Sequence, residues 1–195
     1  MAPVLRRPQV RWFFASACFH VLAHIAVYVF FSLYLDALGY RKSTIGVLWA
    51  VSVVVEIAWF FTQGRWLPRW PLSRWLLVCA AAMALRMGMT AAAGAWLLVL
   101  VVAQMLHALT FAAHHTACMA LLSEYVPGRL RGRGQALYTV LAYGLPGVVG
   151  ALAGGALGDA AGLASVYWAA MVVRVLSCLC AWKVGRSALK ARSLE

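Results

Sequence analysis

His20, His24, Glu56, Arg86, Gln104, His107, His114 and Arg174 all stand inside long apolar stretches of a 195-residue chain. An ionisable group at the bilayer centre is costly unless it faces a protein interior or a water-filled cavity, so such residues mark ion or substrate paths. Glu56 is the one acid inside any of these stretches. A carboxyl whose surroundings alternate between apolar and arginine-lined changes its hold on a proton, so Glu56 near Arg86 or Arg174 could load and release one. The two arginines could equally hold an anionic solute. Gln104, His107, Phe111, His114 and Cys118 recur at spacings of three and four, which puts a polar-aromatic stripe on one helix face. His115 points about 100° from its neighbour. His20 and His24 share another face, with Tyr28 one turn on. The plainer alternative is a fixed Glu–Arg pair and hydrogen-bonded packing histidines.

Metal and enzyme chemistry find little support. His20-x3-His24 has helical pitch for two ligands, but no glutamate accompanies it, so the zinc-protease pattern fails. There is no Gly-x-Ser-x-Gly elbow and no acid pair. The reading is therefore no enzyme, no metal and no cofactor. Cys18, Cys79, Cys118, Cys178 and Cys180 lack ligand spacing and read as small packing residues.

The elements that must carry these residues follow from composition. The chain is 65% hydrophobic and 11% charged, well above the roughly 45–50% apolar content of soluble domains. Six stretches, at 12–35, 45–63, 75–93, 96–122, 135–157 and 163–182, have close to the ~20 residues a membrane-crossing helix needs. The expected class is an all-α polytopic membrane protein with segment 1–11 before the helices, a six-helix domain over 12–184, and a tail over 185–195. Glu56, Arg86, His107 and Arg174 each lie about eleven residues inside their stretches, hence in one layer near the midplane.

The net charge of +12 sorts by side. Arg6, Arg7 and Arg11, then Arg65, Arg69 and Arg74, then Arg129, Arg131 and Arg133, then Lys183, Arg186, Lys190 and Arg192 fall at one side of alternating helices. Only Arg41 and Lys42 fall opposite, beside Asp36. The positive-inside rule then sets both termini in the cytoplasm. It also accounts for the basic excess without nucleic acid, leaving membrane lipid as the surrounding partner. In the fifth stretch, Pro146, Gly150, Gly154 and Gly158 form a small-residue face on which another helix can pack closely, as static packing or as a bending gate.

Two runs of residues carry a family likeness. One goes from His24 through Phe30-Phe31-Ser32-Leu33-Tyr34-Leu35 and Thr44-Ile45-Gly46-Val47-Leu48-Trp49-Ala50 to Glu56-Ile57. The other is Gln104-x2-His107-Ala108-Leu109-Thr110-Phe111 with His114, then Pro127-Gly128-Arg129-Leu130-Arg131-Gly132-Arg133-Gly134-Gln135. The chain resembles major facilitator superfamily transporters of the phenylpropionate-permease, lactose-permease-related kind, over their C-terminal six helices. The resemblance implies a half built of two three-helix inverted repeats with a substrate site near midplane. It also implies that Glu56, Arg86 and His107 serve substrate and proton. Thr110 stands where lactose permease has a second acid, and Pro68 replaces the aspartate of the superfamily's loop motif.

Together these readings give an expected function. The chain would be the C-terminal half of a proton-coupled transporter for a small organic solute, an aromatic acid, nucleoside or sugar. It would work by alternating access against an N-terminal six-helix half or a second copy. A noncatalytic assembly or regulatory subunit, or a truncated fragment, is the competing expectation.

Overall fold

A computed structural model describes residues 2–192. Six helices are long and apolar enough to cross a membrane: Pro8–Ala37, Lys42–Arg69, Leu72–Ala93, Leu97–Tyr125, Gly128–Ala161 and Leu163–Leu189. These are the first to sixth spans below. With no strand among the described residues, this is an all-α integral membrane protein. In hydrocarbon every backbone polar group must be satisfied within its own helix, which makes helices the only open-chain solution.

The span ends follow local chemistry. Pro8 opens the first helix, where its missing N–H costs nothing. Gly39, with φ +84°, closes the turn after it, and Lys42 meets Asp36 at 2.6 Å across that turn. Gly162, with φ +81°, does the same between the fifth and sixth spans. Gly132 and Gly134, which precede the fifth stretch expected at 135–157, lie inside the helix Arg131–Tyr138. Gly134 is a packing position: a Cβ there would stand 3.1 Å from Val126. The last helix continues to Arg192, through residues that read as a tail.

Packing repeats itself. The first span lies along the sixth and fifth, the fourth lies along the third and second, and the third and sixth pack on each other. Exchanging each span with the one three places later maps this pattern onto itself, as a pair of three-helix repeats requires. Two apolar cores result. Phe13, Trp75, Leu122, Tyr138 and Val184 centre the one toward the two termini. Phe30, Leu35, Met87, Leu100 and Val166 centre the other. Between them runs a layer of buried polar side chains, from Ser16 to Ser177.

The glycine face of the fifth span meets the first and sixth. A Cβ on Gly150 would sit 3.0 Å from Ile25, one on Gly154 only 2.6 Å from the Phe30 ring, and one on Gly158 3.1 Å from Leu163. Pro146 follows a π-turn over Thr139–Gly144, where the backbone ladder is already interrupted. Gly154→Val should therefore overpack the joint and lower the unfolding free energy by about 1–3 kcal/mol. Gly155→Ala, which meets nothing within 4 Å, should be silent. Thermal unfolding of both variants in mild detergent checks this; equal midpoints would refute the close-packing role.

Candidate functional site

The polar layer is assembled from five of the six spans, all but the fifth. Arg86 on the third is 1% exposed, and its Nη1 donates to His107 Nδ1 at 3.0 Å and to Thr110 Oγ1 at 2.8 Å. Its Nη2 donates to Gln104 Oε1 at 2.7 Å. Three residues of the fourth span thus hold one guanidinium. They can do so because Gln104, His107 and Thr110 recur at a spacing of three, which keeps them on one side of the helix.

A guanidinium has no acceptor, so His107 Nδ1 must be the accepting nitrogen and Nε2 must carry the ring proton. Nε2 lies 3.4 Å from Glu56 Oε2, an ion-pair distance without hydrogen-bond alignment. Arg86 therefore donates to His107, whose far ring nitrogen faces the Glu56 carboxyl at ion-pair distance. The sequence suggested direct pairing of Glu56 with Arg86 or Arg174; here His107 stands between Glu56 and Arg86, because the second span packs on the fourth rather than the third. The Glu56 side chain remains 26% exposed, at the rim of the cluster, while His107 is 4% exposed.

A second unit of the same kind lies beside it. Arg174 on the sixth span, 0% exposed, donates from Nη2 to His20 Nδ1 at 2.7 Å. By the same argument His20 Nε2 carries a proton, and it donates to the Thr110 carbonyl at 2.7 Å. Arg174 does not pair with Glu56; its Nε and Nη1 are buried without a partner among the described residues. His114 stacks on His20 with ring centroids 3.3 Å apart and contacts Cys118 Sγ at 3.6 Å. His24 packs edge-on to His107 at 5.5 Å, and its Nε2 has no partner.

Thr110 joins the two units, since its hydroxyl accepts from Arg86 and its carbonyl from His20. Sequence reading did not single out Thr110 as a site residue or connect His20 with Arg174. A signal was there: Arg174 follows Arg86 by about 88 positions, and His107 follows His20 by about 87, one repeat length apart. The two arginine–histidine units are thus counterparts in the two three-helix repeats.

The fourth-span stripe divides in the structure. Gln104, His114 and Cys118 turn inward, while His107, Phe111 and His115 form a ladder of near-parallel rings. Their centroids lie 5.2 and 6.0 Å apart, with interplanar angles of 9° and 17°. The π-turn brings spacing four nearly into line, so His115 joins the ladder instead of pointing away from it. Tyr28 meets Phe111 edge-on at 6.2 Å and is 42% exposed, and Tyr143 Oη lies 3.3 Å from His115 Nδ1. A partly open aromatic wall therefore leads to a buried guanidinium, with a carboxylate at its rim. Such a surface can sandwich a flat ring and offer a cation to its acidic end.

Comparison with known proteins agrees with this architecture. The chain is 34% identical over 137 residues to the "Probable 3-phenylpropionic acid transporter" of Escherichia coli (strain K12). The match takes in 68% of this chain and 34% of that protein, so it spans about a third of the relative's length. The model of the MFS_1 like family matches residues 1–169, which takes in five of the six spans and both the Arg86–His107–Glu56 line and His20. Paired three-helix repeats enclosing a midplane polar layer and a family match over most of the sequence lead to one conclusion: the chain belongs to the MFS_1 like family.

Proposed function

We propose that this chain supplies six helices of a secondary transporter that moves a small aromatic carboxylate together with protons. The observation that carries the reading is Arg86, a buried cation at the foot of the Phe111 ring ladder, with the partly exposed carboxyl of Glu56 beyond His107. The related protein's name specifies an aromatic ring joined to an acid, the two groups this wall is built to meet.

In this reading, the substrate ring lies against Phe111 and Tyr28, and its carboxylate takes up guanidinium N–H groups now used by Gln104 and Thr110. Glu56 carries the proton, and His107 relays the change in its charge to Arg86. Gln104, His24 and His114 complete the walls, and Arg174 holds the second repeat's counterpart site. Alternating access is provided by rocking against a facing half, either an N-terminal six-helix unit or a second copy, with the fifth span bending at Pro146. In this reading the protein sits in the inner membrane with both termini cytoplasmic, the orientation that the basic residues on that side support.

Uptake of 3-phenylpropionate, by cells making the chain with its facing half, tests this. Glu56→Gln should abolish pH-gradient-driven accumulation, at least tenfold, while sparing substrate exchange across the membrane, because a fixed neutral side chain removes only the proton step. Full accumulation by the variant would refute proton carriage by Glu56. If no flux accompanies the wild-type chain and the Glu56 and Arg86 variants alter only its association with other membrane proteins, it is an assembly subunit.

A further inference from the structure

The cations near the termini are arranged more specifically than topology demands. The four cation–π pairs among the described residues lie at one membrane face: Arg69 over Trp66 at 4.3 Å, Arg74 over Trp70 at 5.0 Å, Lys183 over Trp12 at 4.1 Å, and Arg186 over Trp182 at 4.7 Å. Start of first span, end of second, start of third and end of sixth must share a side in a chain that crosses six times. The last two pairs belong to neighbouring helices, because the first and sixth spans pack along each other. Arg11, Trp12 and Ala15 line a groove of about 320 Å³ on the first span, and Lys183 of the sixth reaches it over the Trp12 ring.

Charge and apolar surface are continuous there. On the sixth span Trp168, Val172, Val175, Leu179 and Trp182 are all exposed and recur at spacings of three and four, so a single apolar track climbs the helix and ends at Lys183 and Arg186. None of Arg11, Lys183 and Arg186 forms an ion pair among the described residues, and all three are exposed. A tryptophan under each of Lys183 and Arg186 limits where its charge can point and lowers the entropy lost on binding an anion.

We propose that the seam of the first and sixth spans is a binding site for one anionic phospholipid. Its phosphate is held by Lys183, Arg186 and Arg11, and an acyl chain lies along Val175 and Leu179. Two features match a lipid rather than a soluble phosphate: the apolar track leads directly away from the cations, and both tryptophans are amphipathic anchors at headgroup depth. The site is independent of the transport reading, since none of its residues belongs to the midplane cluster.

The test is native mass spectrometry of the purified chain from nanodiscs of phosphatidylethanolamine and phosphatidylglycerol, scoring phosphatidylglycerol retained per protein. Lys183→Gln with Arg186→Gln should lower apparent affinity about thirtyfold, from two lost headgroup cations. Arg129→Gln with Arg131→Gln, which removes equal charge from the same face elsewhere, should leave retention unchanged. Lys183→Arg with Arg186→Lys should retain the lipid. Equal loss in the Arg129 and Arg131 variant would reduce the effect to bulk surface charge and overturn the site, as would full retention by the Lys183 and Arg186 variant. Displacement by inorganic phosphate alone would overturn the lipid assignment.

Discussion

Arg86→Met is expected to lower the unfolding free energy by about 3–5 kcal/mol and to weaken carboxylate substrate binding about 100-fold. The stability loss comes from what remains behind. Gln104 Oε1, Thr110 Oγ1 and His107 Nδ1 all accept from this one guanidinium, and methionine would leave three buried acceptors without a donor. Each orphaned polar group costs about 1–3 kcal/mol, partly recovered as the site relaxes. The binding loss comes from removing the buried cation that faces the ring ladder. Arg86→Lys should recover charge but not the fork, since an ammonium on a flexible stem cannot hold three directions at once. Thermal unfolding in detergent and equilibrium binding of 3-phenylpropionate measure the two effects separately. An unchanged midpoint for Arg86→Met would show that the fan of hydrogen bonds does not hold the third and fourth spans together.

The same substitution at Arg174 should act in the opposite direction. Arg174→Met is expected to raise stability by about 1–2 kcal/mol, although the residue is as deeply buried as Arg86. Arg174 gives one hydrogen bond, to His20, and leaves Nε and Nη1 unpartnered, with no acid recorded against it among the described residues. A buried charge so poorly matched costs more in lost hydration than its single bond returns, and a methionine of similar reach removes that cost. His20 Nδ1 loses its donor in exchange, which sets the upper limit on the gain. Transport by the variant should fall nonetheless, because a group kept at a cost in stability marks function. A fall in stability as large as that of Arg86→Met would sink this account.

The two arginines show where sequence reading reaches and where it stops. Both were visible as intramembrane cations at the same depth, as were Glu56, His24, His107 and His114, because apolar surroundings make any ionisable residue conspicuous. Their partners were not. Glu56 appeared to be the obvious mate of an arginine, yet it meets His107, since helix neighbours decide which groups at one depth can touch. Thr110 carries no charge and drew attention only as a missing acid, yet its hydroxyl and carbonyl join the two arginine–histidine units. The π-turn over Ala108–Ala113 is equally silent in composition, and it alone aligns His115 with Phe111 and His107. The glycine face was legible through its spacing of four; the partner pressed against it, Phe30, was not.

By itself, then, the sequence determined the membrane class, the six crossings, the side on which the cations gather and the depth of the ionisable residues. All of these follow from local composition and a fixed rise per residue. Only the tertiary structure decided which residues share a proton or a hydrogen bond. That depends on the order in which six helices pack and on the rotation of each about its axis, and a hydrophobic pattern exposed to lipid on one side and protein on the other leaves that rotation weakly specified.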